Sequence, residues 1–129
     1  MSEDGRNPDP LKQARGAMAY HAGLSAEGAV ADHYLALGYE RVAERWRGKA
    51  GEIDLIFQRD GMTVFVEVKR SASHASAAEL LRPAQMQRLA RAAEEYIGVL
   101  PDGLLTEMRI DVALVDGTGV IEVLENALM

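Results

Sequence analysis

The residues best equipped for chemistry lie between Gly51 and Arg70. Gly51-Glu52-Ile53-Asp54-Leu55-Ile56 and Val64-Phe65-Val66-Glu67-Val68-Lys69-Arg70 read as two β-strands, with Asp60-Gly61 supplying a tight turn between them. Side chains alternate across a strand. Glu52 and Asp54 therefore share one face of the first strand. Glu67 and Lys69 share one face of the second, while Val64, Val66 and Val68 take the other. If the polar faces coincide, three carboxylates and one ammonium meet on otherwise apolar strands. Burying such charges unpaired costs several kcal/mol, comparable with the whole net stability of a small domain. A divalent cation bound by Asp54 and Glu67 would compensate.

Such a set can act on phosphate esters. Two carboxylates hold Mg²⁺ (or Mn²⁺) through oxygen and leave several of its waters in place. The ion polarises a phosphoryl oxygen, lowers the pKa of a bound water and neutralises developing charge. Lys69 can position the attacking water or stabilise the pentavalent phosphorane. Glu27 and Glu52 could complete a second cation site or hold outer waters. The competing account is an internal ion pair between Lys69 and Glu67 or Asp54, with no catalysis.

Several elements must position these residues. Residues 1–10 are polar with two prolines and read as a loose tail; residues 11–23 are ambiguous, and 11–129 as a whole read as one domain. A helix is expected over about 24–37, with Ser25 as its N-cap and Gly38 as its stop. Val30, Ala31, Tyr34 and Leu35 lie on one face of it, and Glu27 ends that stripe. A first-turn Glu favouring the helix dipole and reaching solvent is the alternative for Glu27. Residues 39–46 read as a short strand at or near the sheet edge. Arg41, Arg45, Arg47 and Lys49 against Glu44 give that region a local +3, suited to phosphates or to a solvated edge. Trp46 reads as a core or interface residue.

Beyond Lys69, residues 71–76 read as a small polar loop carrying His74. A helix is expected over 83–97, with Pro83 in its first turn. Met86, Leu89, Ala90, Ala93 and Ile97 form its apolar stripe, opposite Arg88, Arg91, Glu94 and Glu95. Strands are expected over 108–115 and 120–124, joined by a turn at 116–119. A strand, a long helix and a further strand imply a crossover with the two strands parallel. Asp111 faces opposite Ile110 and Val112 and is expected to cap or solvate locally, with an approach to the site as the alternative. The order α-β-β-β-α-β-β predicts an α/β domain with a mixed β-sheet flanked by helices.

Composition narrows the class. The chain has 129 residues, no cysteine and a net charge of −6. Disulfides and thiolate metal sites are excluded. No apolar run reaches a membrane span and no secretory segment is evident, so a cytoplasmic, non-membrane protein is expected. The acidity is unevenly spread: residues 1–10 carry −2, residues 102–129 carry −5, and the middle carries +1. A nucleic-acid partner therefore stays open. There is no phosphate-cradling glycine loop, Ser-His-Asp set or zinc-type spacing.

The segment Gly51-Glu52-Ile53-Asp54-Leu55-Ile56, followed by Val64-Phe65-Val66-Glu67-Val68-Lys69, resembles the signature of the YraN-like family of bacterial proteins. Gly23-Leu24-Ser25-Ala26-Glu27, Leu37-Gly38-Tyr39, Arg82-Pro83-Ala84-Gln85 and Arg109-Ile110-Asp111-Val112 extend the likeness over about residues 20–125. That family is grouped with the restriction-endonuclease-like, or PD-(D/E)xK, nucleases. The resemblance implies an α-β-β-β-α-β core and a Mg²⁺-dependent endonuclease, with DNA as substrate, branched or damaged DNA included. It makes Asp54, Glu67 and Val68 the metal set, Lys69 the catalytic lysine and Glu27 the acidic residue from the helix. Gln85 resembles a glutamine on the following helix of resolvase-type nucleases, and Glu52 stays a secondary candidate. Arg47, Lys49, Arg70 and Arg82 are the candidate nucleic-acid contacts. Junction-cutting relatives act as dimers, so a homodimer is expected. The rival function is a non-catalytic nucleic-acid- or protein-binding module that retains this fold.

Overall fold

The computed structural model describes residues 25–128; the expected tail at 1–10 and the ambiguous segment at 11–23 lie outside the described residues. Residues 25–36 form helix α1. Then follow strands β1 (Glu40–Arg47), β2 (Glu52–Arg59) and β3 (Met62–Arg70), and helices α2 (His74–Ala78) and α3 (Pro83–Ile97). A short 3₁₀ turn at Gly103–Leu105 leads to β4 (Glu107–Val115) and β5 (Ile121–Leu124). The five strands form one mixed sheet in the order β1-β2-β3-β4-β5. Every neighbouring pair is antiparallel except β3 and β4, which run parallel across the α3 crossover. The domain is thus α/β, with helices on both faces of the sheet. Among the described residues, no helix is long and apolar enough to cross a membrane.

Local chemistry explains the central hairpin. Asp60 and Gly61 have φ of 51° and 82°, the pair of left-handed conformations that a two-residue type I′ turn needs. That turn sets the register Arg59↔Met62 through Leu55↔Val66. Leu55, Phe57, Val64 and Val66 then face α1, where they pack with Val30 and Tyr34. Ile56 and Phe65 take the other face and pack with Leu89 and Ala93 of α3. Helix α3 begins with Pro83 at its first turn and buries Leu89, Ala92, Ala93 and Ile97.

Four local expectations are corrected. Ser25 is itself helical, so it does not cap α1. Leu35 stays 44% exposed, because the buried stripe of α1 is centred on Val30 and Tyr34 and the next residue turns outward by about 100°. The polar loop at 71–76 contains α2, nucleated by a capping box in which Ser73 and Ser76 satisfy each other's backbone N–H groups. Glu95, expected on the solvent face of α3, accepts the backbone N–H of Lys49 at 2.9 and 3.0 Å and so clamps the β1–β2 turn onto the helix.

Candidate active site

The site forms where two strands part. The ladder between β2 and β3 ends at Leu55↔Val66. Beyond it β2 stays paired with β1 as far as Glu52, and β3 stays paired with β4 as far as Arg70. Asp54 and Glu67 are the next residues on the two separating strands. Backbone groups in the gap need new partners, since unpaired buried N–H groups are costly. Asp54 provides one: its Oδ2 accepts the Val68 N–H at 2.8 Å. In a strand the carbonyl of a residue points the same way as its N–H, so the Val68 oxygen faces the same gap.

Glu67 is buried and its Oε2 is held from two sides. Gln85 Nε2, from α3, donates to it at 3.1 Å, and Lys69 Nζ lies 3.2 Å away. The Asp54 carboxyl lies close enough to Glu67 to feel its negative charge. Burial, and then the charge of Glu67, pushes the pKa of Asp54 up to about 7, against a smaller lowering by the Val68 N–H and by Lys69.

Glu27 approaches from α1. Its Oε1 lies 3.3 Å from Arg45 Nε, and it lines a cavity of about 250 Å³ with Arg41, Glu44 and Leu55. Burial raises its pKa first and the negative charge of Asp54 raises it further, while Arg45 opposes both. Arg45 itself has φ of 48°, a left-handed residue inside a strand whose pairing with β2 is already irregular between Arg41 and Ala43.

The structure therefore brings Asp54, Glu67, Lys69 and Gln85 into one group and sets Glu27 within electrostatic reach of it. Glu52 is not part of the group; it is half-exposed and pairs with Arg47 at 3.6 Å. The basic candidates do not form one patch. Arg82 lines a cavity with Lys69 and Gln85, whereas Arg70 lines a separate one with Ser25, Ala29 and Asp116. Arg47 is the partner of Glu52, and the Lys49 backbone is held by Glu95. Two contacts had no signal in the sequence. Arg45 reaches Glu27 only through an irregular strand, and Arg88 joins the Arg82 cavity by standing one helical turn after Gln85.

A divalent ion fits the chemistry of this donor set. When ionised, Asp54 and Glu67 together carry −2, which the Lys69 ammonium offsets by only one. Among the described residues, no three His, Asp or Glu side chains converge as a metal cage. An ion would rest on Asp54, Glu67 and the Val68 carbonyl and complete its shell with water, as Mg²⁺ commonly does.

The comparisons with known proteins address ancestry. The family model described as "Uncharacterised protein family UPF0102" matches residues 26–115. A UPF0102 protein of Roseobacter denitrificans is 53% identical over 113 residues, 88% of this chain and 88% of its own length. One from Ruegeria pomeroyi is 53% identical over 114 residues, covering 88% and 93%. A third, from Ruegeria sp. strain TM1040, is 47% identical over 128 residues, covering 98% and 97%. The matched span runs from α1 to the end of β4 and so contains every residue of the carboxylate site, which places the chain in the UPF0102 family, the YraN-like proteins.

Proposed function

We propose that this protein is a metal-dependent endonuclease that hydrolyses DNA phosphodiester bonds, built on a restriction-endonuclease-like core. One observation carries the reading: a buried and a partly buried carboxyl, Glu67 and Asp54, meet where β2 and β3 part, with a lysine on one of them. Desolvated acids with shifted pKa values and a specific cationic partner are characteristic of catalytic sites. Asp54, Glu67 and the Val68 oxygen would hold a divalent ion, which would supply Lewis-acid polarisation of the phosphoryl group and neutralise its charge.

The chain's own residues do the rest. Gln85 fixes Glu67 through one lone pair of Oε2 and leaves the other oxygen free to turn toward the gap. The Lys69 ammonium carries three donors; those not spent on Glu67 are available to the non-bridging oxygens of a phosphate seated at the carboxyls. Glu27, its proton affinity raised by burial and by Asp54, is suited to accept a proton nearer neutral pH than an exposed Glu could.

The test is cleavage of linear, nicked and four-way DNA in Mg²⁺ or Mn²⁺. Wild type is expected to cut, and Asp54→Ala and Lys69→Ala to cut at least about 100-fold more slowly. An Asp54→Ala protein that cuts as fast as wild type refutes the assignment. The Lys69–Glu67 ion pair favours one rival, a binding module in which the charges serve the fold alone. That module would bind DNA in EDTA, weaken with salt and turn over nothing.

A further inference from the structure

The arginines of the described chain fall into two sets. Arg41, Arg45, Arg47, Arg59 and Arg109 each stand within 4.0 Å of a carboxylate. Arg70, Arg82, Arg88 and Arg91 have no such partner among the described residues. Of these four, Arg82 and Arg88 line one cavity of about 500 Å³, together with Lys69 and Gln85. No acidic side chain lines it, in a chain whose net charge is −6. Lys69 and Gln85 both touch Glu67, so this cavity opens directly beside the carboxyl pair.

The backbone on the far side is shaped to fit Arg88. Gly51, at φ of 149°, presents no side chain to it, and a Cβ there would lie 3.1 Å from the Arg88 Cδ and 3.2 Å from its Nε. Arg82, Gln85 and Arg88 recur every third residue along the start of α3, which spaces the two guanidinium groups along a groove.

We propose that Arg82 and Arg88 bind the phosphate backbone of a DNA strand immediately beside the phosphate presented to Asp54 and Glu67. The groove thereby gives the path by which the substrate of the proposed nuclease crosses the site, and it rests on that reading for its ligand. Two unpaired guanidinium groups suit a polyanion whose affinity comes from neutralising phosphates. Neither reads a base, so the groove grips any sequence.

The experiment measures binding of fluorescein-labelled single-stranded and four-way DNA by anisotropy in EDTA, across a salt series. Wild type is compared with Arg82→Gln, Arg88→Gln and the double variant; Arg41→Gln removes the same charge at the outer edge of β1. Each groove variant is expected to lower the slope of log K against log salt by about 0.7–0.9, and the double variant by about 1.4–1.8, regardless of sequence. Arg41→Gln leaves the slope unchanged. Gly51→Ala should weaken binding as Arg88→Gln does, and if it misfolds the arginine variants still decide. A double variant with the wild-type slope overturns the groove, as does a wild type that binds no DNA. Loss of slope in a protein that cuts nothing would keep the groove and refute the nuclease. Cutting with an unchanged KM in the double variant would do the reverse.

Discussion

The sheet buries carboxyl groups at two places, and they are treated in opposite ways. Asp111, on β4 and facing α1, is fully buried. Its Oδ1 accepts from Arg109 Nε at 2.8 Å and from the Asn126 N–H at 3.0 Å; its Oδ2 accepts from the Tyr34 hydroxyl at 2.6 Å and from an Arg109 terminal nitrogen at 3.0 Å. Arg109 also reaches the Tyr39 hydroxyl at 3.0 Å, and its bond to Asp111 raises its own pKa, so it stays charged. Burial and the same carboxylate keep Tyr34 protonated. Every lone pair has a donor. Asp54 and Glu67, by contrast, face each other, with one backbone N–H, one amide and one ammonium between them. The first arrangement ties β4 to α1 and to the C-terminal turn. The second leaves a demand for positive charge, which is what a site that recruits a cation and a phosphate requires.

The comparison breaks most visibly in stability. Asp111→Ala leaves Arg109 half-buried without its partner and strips two other donors, the Tyr34 hydroxyl and the Asn126 N–H, of their acceptor. Urea unfolding is expected to show a loss of about 3–5 kcal/mol. A loss under about 1 kcal/mol would mean that the network is ornamental and that the contrast with Asp54 is empty.

The next effect is on pH. The ordinary value for an Asp is 3.8 and Asp54 in the folded chain stands at about 7. Between these values the folded state binds more protons than the unfolded one, so stability falls as pH rises. From pH 5 to pH 8 the metal-free protein should lose about 2.5 kcal/mol through this group. Asp54→Asn should flatten that slope, because its amide donates to Glu67 without a charge and its carbonyl still accepts from Val68. A wild-type curve already flat over this window would show that the two carboxyls are not in conflict.

Divalent cation supplies the reverse perturbation. At pH 8, Mg²⁺ or Mn²⁺ at ten times its Kd should stabilise wild type by about 1.4 kcal/mol, read as a rise in Tm. Asp54→Asn should respond less and Asp111→Asn as fully as wild type. A rise of equal size in the Asp54 variant would place the ion elsewhere.

Much of this architecture was legible in the residues, and the failures share a cause. Hairpin, crossover helix and strand order followed from Asp60-Gly61, from the Leu89–Ala93–Ile97 period and from chain order, all of them local signals. The α/β class with a mixed sheet follows from the same signals. Proximity of Asp54 to Glu67 was legible because alternation and a two-residue turn fix the register. That the strands part at this point was not, since both read as continuous apolar runs. Asp111 was expected near solvent; its donors Tyr34 and Asn126 lie far off in the chain, and no periodicity records such a meeting. The Arg45–Glu27 contact escaped for the same reason. Helix α2 was lost to its composition, because Ser-rich segments favour caps and turns until a capping box completes them.

The smallest expected effect concerns Glu52, the acid that alternation grouped with Asp54. It pairs with Arg47 at 3.6 Å, and the two side chains are 39% and 77% exposed. Ion pairs this open to solvent contribute little, because water screens the charges and two long side chains lose freedom in meeting. Glu52→Gln should therefore change stability by less than about 0.5 kcal/mol. Its influence on the site is indirect, as its charge adds to the forces raising the pKa of Glu27. Removing it should let Glu27 ionise at a slightly lower pH, so the acid limb of a cleavage profile moves down while the Asp54 stability transition stays in place. If Glu52→Gln abolished metal stabilisation or cleavage, Glu52 would belong with Asp54 and Glu67, and the division between exposed and buried acids drawn from this sheet would fall.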